Sequence, residues 1–557
     1  MRLSSDLFRS PARLALSVGA ALLAALLALP IVAVVFSLGE GASPVVAHLI
    51  DTVLVEHITN SVLLSALVAI GTIAVGVPAA WFVTMHEFPG RRLLEIVLVL
   101  PLAMPAYVIA YAYTDLLQPA GPVQIFLRDL FALAPGTIVL PEIRSLPGAA
   151  IIFTAVLYPY VYLLARASFL EQSVCVLEAS RTLGQGKFAT FWRVGLPLAR
   201  PAIVAGTALA LMETLADFGA VFYFGVQTFT TGIYRAWFSW GDPVAAQQLA
   251  TGLLAFVLLL HALERISRGR ARHFHATNRY RPLPHDTLSG VRGVCAAALC
   301  ALPGVFGFFI PCAALVRLAM ESSISPLSPR FAEAAGHSLL LAAGASVLAV
   351  AGALVIAFAA RGGRSFAARA AARIGELGYA VPGPVIAVGI LVPLIGVDRM
   401  LSAGADGSTS SLVLTGSAFG LVYAYLVRFL AVALRGVDAG LQRITPSMEA
   451  AAQVLSRHPF HALTRVHAPL IAPALLTAGL MVFVDVMKEL PATLIMRPFN
   501  LDTLAVVTYT FASDERLADA AWPALAIVAA GLLPVILLMR GSAGARAGTA
   551  GTSLKIA

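Results

Sequence analysis

Four carboxylates stand in surroundings apolar enough to exclude them: Glu213 and Asp217 in LMETLADFGA, and Asp485 and Glu489 in FVDVMKELPA. Each pair is spaced by four, which on one continuous helix puts both side chains on one face. A charge facing lipid costs ~2.5–3.5 kcal/mol on the insertion scale, so these groups are expected to face the protein interior or an aqueous path. Carboxylate oxygens suit hard cations, and a path-lining or gate role follows from that chemistry. The structural alternative is that Lys488 pairs with Asp485 while the others accept backbone N–H groups freed near Gly219 or Pro491. No fixed metal site is assigned, because His57, His337, His458, His461 and His467 lack metal-site spacing with a neighbouring ligand. Tyr107, Tyr111 and Tyr113 can offer phenolic oxygens to a passing metal, but packing or an interface belt is the preferred reading.

The elements that carry these residues are set by composition. With 59% hydrophobic and 12% charged residues over 557 positions, and a mean hydropathy of +0.87, the chain reads as an integral membrane protein. Twelve apolar runs have the length that a ~30 Å hydrocarbon core requires of an α-helix, whereas the ~10-residue alternation of a β-barrel is absent. They lie near 14–38, 60–84, 93–118, 148–170, 199–226 and 244–264, then near 293–320, 337–360, 374–397, 411–434, 469–496 and 519–539. The fold class is therefore all-α and multi-pass. The first run is too long for a cleaved signal and is read as a membrane helix.

Net charge is +9, yet only three of the 38 basic residues are Lys, and they scatter over membrane-flanking loops, which fits the positive-inside rule rather than nucleic acid. With the N-terminus inside, 27 basic residues fall on inner segments and eight on outer loops, leaving Arg166, Arg428 and Lys488 within helices. Both termini are then cytoplasmic. Cys175, Cys295, Cys300 and Cys312 form no CxxC pair and read as small buried apolar residues.

The halves repeat. Asn60-Ser61 aligns with His337-Ser338, and Pro105 with Pro382, at an offset of 277; Pro197 aligns with Pro469, Glu213 with Asp485 and Asp217 with Glu489 at 272. Residues 1–264 form the first repeat, 293–557 the second, and the basic stretch 265–292 the connector. Six helices per half make the repeats parallel.

Between two apolar runs lies EASRTLGQGKFATFWRVGLP, Glu178 to Pro197, and a weaker copy occupies Met448 to Pro469. The first reads as a short amphipathic helix, a turn at Gly184, an aromatic-rich second piece and a stop at Pro197. An interfacial helix lying on lipid headgroups would have this character. Glu178, Ala179, Gly184, Val194, Leu196 and Pro197 also match the EAA motif that marks binding-protein-dependent ABC importer permeases, which the chain resembles. The second copy keeps Val466 and Pro469, but Glu449 sits one place early so that Ala450 stands at the usual Glu position, Ser456 replaces the Gly and Ala468 the Leu. Leu211 to Asp242 and Phe483 to Pro523 look like the corresponding regions of fused ferric iron permeases.

That resemblance implies a type I ABC importer permease fold in an inner membrane. It also implies coupling loops at 178–197 and 448–469 that dock on two copies of an ATPase subunit, and a periplasmic substrate-binding protein that delivers ferric iron. Thiamine or a phosphonate as cargo would keep the same machinery. A gradient-driven carrier with parallel halves is the alternative of another class, and the paired polar loops argue against it. ATP and Mg belong to the partner ATPase, since the only Gly-Lys step, Gly186-Lys187, has Arg181 where a Walker A motif needs Gly and Phe188 after the Lys. The chain reads as a transport subunit and not an enzyme.

Overall fold

The computed structural model describes residues 11–544 except 42, 135, 172–181, 183, 185, 269–285, 327, 362–365, 404–413, 443, 446 and 449–465. Among the described residues ten helices are long and apolar enough to cross a membrane, and a bent pair makes an eleventh. Every one of the twelve expected runs contains helix, but four depart from a simple span, the ninth being interrupted at Val381-Pro382. The third breaks at Met104-Pro105 into Arg91–Ala103 and Ala106–Leu130, bent by 96°. The fifth ends at Ala216 rather than near 226. The eleventh is Ala472–Met487, only 16 residues.

The breaks have local causes. Pro105 supplies no N–H and its ring pushes the preceding residue out of the helical region, so Met104 is extended at φ −106°, ψ 124°. The second half repeats this arrangement: a 3₁₀ turn at Gly378–Ala380 leads to extended Val381 before Pro382, and Gly383–Ala403 follows. Hydropathy runs straight through both prolines, which is why composition alone reads each as one span.

Packing groups the chain into two units, each drawn from both halves. One comprises Met1–Thr52, Gly232–Leu254 and Ser325–Val507; the other comprises Val53–Thr231, Ala255–Ile324 and Thr508–Ala557. In the first unit Pro329–Arg361, Ala418–Leu441 and Ala472–Met487 pack on one another, and Pro11–Phe36 lies against Pro329–Arg361, Phe366–Leu377 and Gly383–Ala403. In the second unit the repeat mates Leu54–Met85, Leu146–Glu171 and Leu196–Ala216 make the same three-helix core, and Ile310–Glu321 packs against Ala106–Leu117 and Leu517–Gly544. The opening helix of each repeat thus joins the unit built mainly from the other half.

With lipid as solvent, helices gain from close backbone approach more than from apolar burial. Gly206 allows it: a Cβ there would lie 2.7 Å from Val161 Cα and 2.8 Å from the Tyr160 carbonyl oxygen. Gly206→Leu is expected to destabilise the second unit by ~1–3 kcal/mol through overpacking. The check is a lowered thermal transition of the purified protein in detergent, and an unchanged transition would contradict the close packing.

Arg166, left inside a span by the sequence, donates to Glu95 at 2.8 Å, and Glu95 also meets Arg91 at 3.2 Å. A two-residue parallel pairing of His86-Glu87 with Asp286-Thr287 ties the end of the connector to the loop after Met85.

Candidate functional site

The four carboxylates do not sit as two pairs on two helix faces. Glu213 is half-buried in the last turn of Leu196–Ala216. Asp217 follows the helix end with extended backbone, φ −72°, ψ 139°. Its Oδ1 accepts the N–H groups of Ala220 at 2.8 Å and Val221 at 3.4 Å, so it caps the short helix Gly219–Tyr223. Its carbonyl oxygen accepts the Thr230 hydroxyl at 2.9 Å.

Glu489 repeats this capping in the other unit. It accepts from Ala492 N at 2.8 Å and Thr493 N at 2.9 Å, at the start of the helix Pro491–Met496. Arg428 Nη1 lies 3.2 Å from Glu489 Oε1, with the two side chains 11% and 2% exposed. Thr493 gives its hydroxyl proton to Glu489, so the Tyr425 hydroxyl, 2.7 Å from Thr493 Oγ1, is the donor there. Asp485 pairs with Lys488 at 2.9 Å. Three of the four carboxylates therefore make the contacts that the structural alternative describes, and the helix interruption between each pair is the reason. The interruption is legible afterwards: an acid two residues before Gly219 or Pro491 is the pattern of a helix cap followed by a new first turn.

The chain returns from each short helix in the same way. Ser61 Oγ accepts the N–H of Phe229 at 3.3 Å, and its repeat mate Ser338 accepts the N–H of Leu504 at 2.8 Å. Irregular backbone at membrane depth is tolerated only where protein buries it or an aqueous cavity runs past it. In transporters such interrupted helices are where substrate sites are built. Arg428, which the sequence placed within a helix but without a partner, is the residue that neutralises one of the two caps.

The polar loop region is partly described; Glu178, Ala179, Glu449 and Ser456 lie outside the described residues. Gly184 is exposed with φ +79°, a left-handed turn that glycine adopts without strain. The stop expected at Pro197 is not there. Phe191–Gly195 is a π-helical turn that runs directly into Leu196–Ala216. The wider turn gives Pro197 room without the clash a proline ring makes inside an α-helix.

Val194 and Leu196 are half-buried, and Pro197 and Trp192 are exposed. Phe191 and Phe169 both rest on Trp81, at ring distances of 4.9 and 5.2 Å. Gly195 sits so close to this indole that a Cβ would lie 2.6 Å from it. At the repeat-equivalent positions Phe358 meets His467 at 5.2 Å, beside half-buried Val466 and exposed Pro469.

Among the described residues no group of three or more His, Cys, Asp or Glu is placed to hold a metal ion. Tyr107, Tyr111 and Tyr113 are all buried, and Tyr113 donates to the Phe306 carbonyl at 2.7 Å.

Residues 72–273 match the family described as the binding-protein-dependent transport system inner membrane component. The Fe(3+)-transport system permease protein FbpB 2 of Haemophilus influenzae is 27% identical over 489 residues, 87% of this chain and 90% of that protein. A protein named as a probable molybdenum ABC transporter permease of Haloferax volcanii is 30% identical over 241 residues, 42% of this chain and 84% of that protein. The molybdenum transport system permease ModB of Escherichia coli is 29% identical over 226 residues, 39% and 96% of the respective chains. The FbpB relative spans both repeats, and the second repeat builds its capped short helix and serine-held return as the first does. This chain is therefore a multi-pass permease that belongs to the binding-protein-dependent transport system inner membrane components.

Proposed function

We propose that the chain is the translocation subunit of an ATP-driven importer of ferric iron, with both termini cytoplasmic. The observation that carries this reading is the match to a ferric permease across 87% of the chain, both repeats included. A separate periplasmic binding protein hands over the cargo, and two separate ATPase subunits, which hold the ATP and Mg, dock on 178–197 and 448–469. In the first loop Glu178, Ala179 and Gly184 meet the ATPase while Val194, Leu196 and Pro197 set the helix that follows. In the second, Ser456, Val466 and Pro469 hold the matching positions and Glu449 stands one place before the usual Glu position.

Closure of the ATPase pair pushes the first loop. The push passes along Leu196–Ala216, continuous from the π-turn, to the break at Asp217. Glu213, Asp217, Asp485 and Glu489 lie at the two breaks, so a movement that uncaps a short helix opens or closes the path there.

The test is reconstitution of the permease in vesicles with its ATPase and binding protein, followed by uptake of labelled ferric iron. Uptake is expected only with ATP and both partners, and uptake by the permease alone would overturn the reading. The molybdenum permeases are somewhat more identical per residue, which favours an oxyanion as the second cargo. They cover only about two fifths of this chain, and molybdate displacing iron in the same assay would decide for them.

A further inference from the structure

We propose that the buried phenols around Tyr111 form an oxygen-donor station that the cargo cation touches on its way through, with the Tyr111 hydroxyl held open for it. This rests on the ferric reading above and adds a place and a ligand to it.

Tyr107 and Tyr111 lie one turn apart at the start of Ala106–Leu117, directly after the break at Met104-Pro105, with ring centroids 5.9 Å apart. Tyr111 meets Tyr223 edge-on at 4.6 Å, and Tyr223 ends the short helix that Asp217 caps. Tyr509 packs on Phe218 at 5.8 Å, and it and Asp217 are within electrostatic reach of Tyr111. Two helix interruptions of one unit thus converge on one group of phenols. Interrupted helices at membrane depth are the usual construction of a substrate site.

The second observation is the Tyr111 hydroxyl itself. The residue is 3% exposed, and its hydroxyl is buried with no hydrogen-bond partner among the described residues. A buried polar group without a partner is a net loss that phenylalanine would avoid at no cost in packing. Two neighbouring phenols are engaged: Tyr113 bonds the Phe306 carbonyl and Tyr223 accepts from Arg144 at 3.1 Å. Arg144 also covers the Tyr223 ring at 4.6 Å, so that phenol is a wall of the site and the metal donors are Tyr111 and its neighbours Tyr107 and Tyr509.

The fold does not need these phenols. At the repeat offsets of 277 and 272, Tyr107, Tyr111 and Tyr223 correspond to Pro384, Val388 and Ile495. The acid at that place in the other repeat, Glu489, is already neutralised by Arg428. One unit has closed its break with apolar side chains and an ion pair, and the other has kept oxygen donors beside its own. Phenolate and carboxylate oxygens are hard donors that suit a ferric ion. Exchange with a hydroxide the ion carries balances without an added base: the Fe–OH bond and the tyrosine O–H bond break, Fe–O(Tyr) forms and water leaves. The reverse exchange releases the ion, as conduction requires of any site on a path.

The experiment compares the wild type, Tyr111→Phe and the control Tyr113→Phe in the reconstituted transporter. It follows ATP-driven ferric uptake, together with visible tyrosinate-to-iron absorption when the full permease is titrated with ferric nitrilotriacetate. Tyr111→Phe is expected to weaken the absorption clearly and to lose about tenfold in uptake, the scale of one lost charge-assisted contact, with unchanged or better folded yield. Tyr113→Phe should keep the absorption. Iron uptake by the wild type with Tyr111→Phe within twofold and no tyrosinate absorption would overturn the station and leave the ferric importer standing. A wild type that moves no iron would overturn the importer reading, and the station with it.

Discussion

Arg428→Ala is expected to be the most damaging single substitution in the second repeat, lowering stability by about 3–5 kcal/mol, the usual result of removing one partner from a buried ion pair. The side chains of Arg428 and Glu489 are 11% and 2% exposed, so the remaining carboxylate would have no route to water. It would still accept from Ala492 and Thr493, and those contacts hold the Pro491–Met496 helix in place. There is also no room for a rearranged partner: a Cβ on Gly383 would stand 2.6 Å from Arg428 Nη1 and 3.0 Å from Glu489 Oε1. Against a total stability of ~5–15 kcal/mol, such a loss should appear as a collapsed yield of monodisperse protein in detergent.

Glu489→Gln is expected to be comparably harmful, since it leaves the guanidinium buried with a neutral partner. The double variant Arg428→Met with Glu489→Gln should recover much of the loss, because it removes both charges together. A double-mutant cycle measures the pair directly, and effects that add within ~0.5 kcal/mol would show that the two are not coupled. Asp217→Asn should cost only about 1 kcal/mol, the scale of a helix cap, because an amide oxygen can still accept from Ala220.

These contrasts show what the sequence could and could not reveal. Hydropathy marked the helix-bearing runs because a lipid core demands long apolar segments, and the repeat was readable because Ser61 and Ser338 or Asp217 and Glu489 do the same local work. The helix interruptions were missed because apolar runs continue through Met104-Pro105 and past Ala216, and hydropathy reports burial rather than backbone direction. A four-residue spacing of acids fits one face of a continuous helix, and the helices are not continuous there. Arg428 and Glu489 are 61 positions apart, and nothing in a one-dimensional pattern pairs them. The assembly of each packed unit from both halves was equally hidden, since one lipid-compatible helix face resembles another in composition.

Glu178→Ala is expected to lower ATP-driven uptake about thirtyfold, corresponding to ~2 kcal/mol at an interface hot spot, and Glu449→Ala only a few fold. The first reason is in the sequence: the first loop carries the full motif, whereas the second has Ala450, Ser456 and Ala468 at three of its positions. The second reason is mechanical. From Lys187, within the first loop, the chain runs without interruption through the π-turn into Leu196–Ala216, seated on Trp81, so displacement at the start of the loop reaches the break at Asp217 through one rigid element. After the second loop the short helix Ala468–Leu470 is separated from Ala472–Met487 by Ile471 at φ −102°, ψ 10°, a turn that can absorb the same displacement. Uptake should be measured alongside ATP hydrolysis and ATPase co-purification, because a lost docking contact lowers all three, whereas a lost linkage lowers uptake and spares hydrolysis. Glu178→Ala is expected to lower all three. Gly195→Val, which drives a side chain into Trp81 and leaves Glu178, Ala179 and Gly184 in place, is expected to spare hydrolysis and lower uptake. Equal losses from Glu178→Ala and Glu449→Ala would mean that the two loops bear the load alike and that the turn at Ile471 transmits force as well as the continuous helix does.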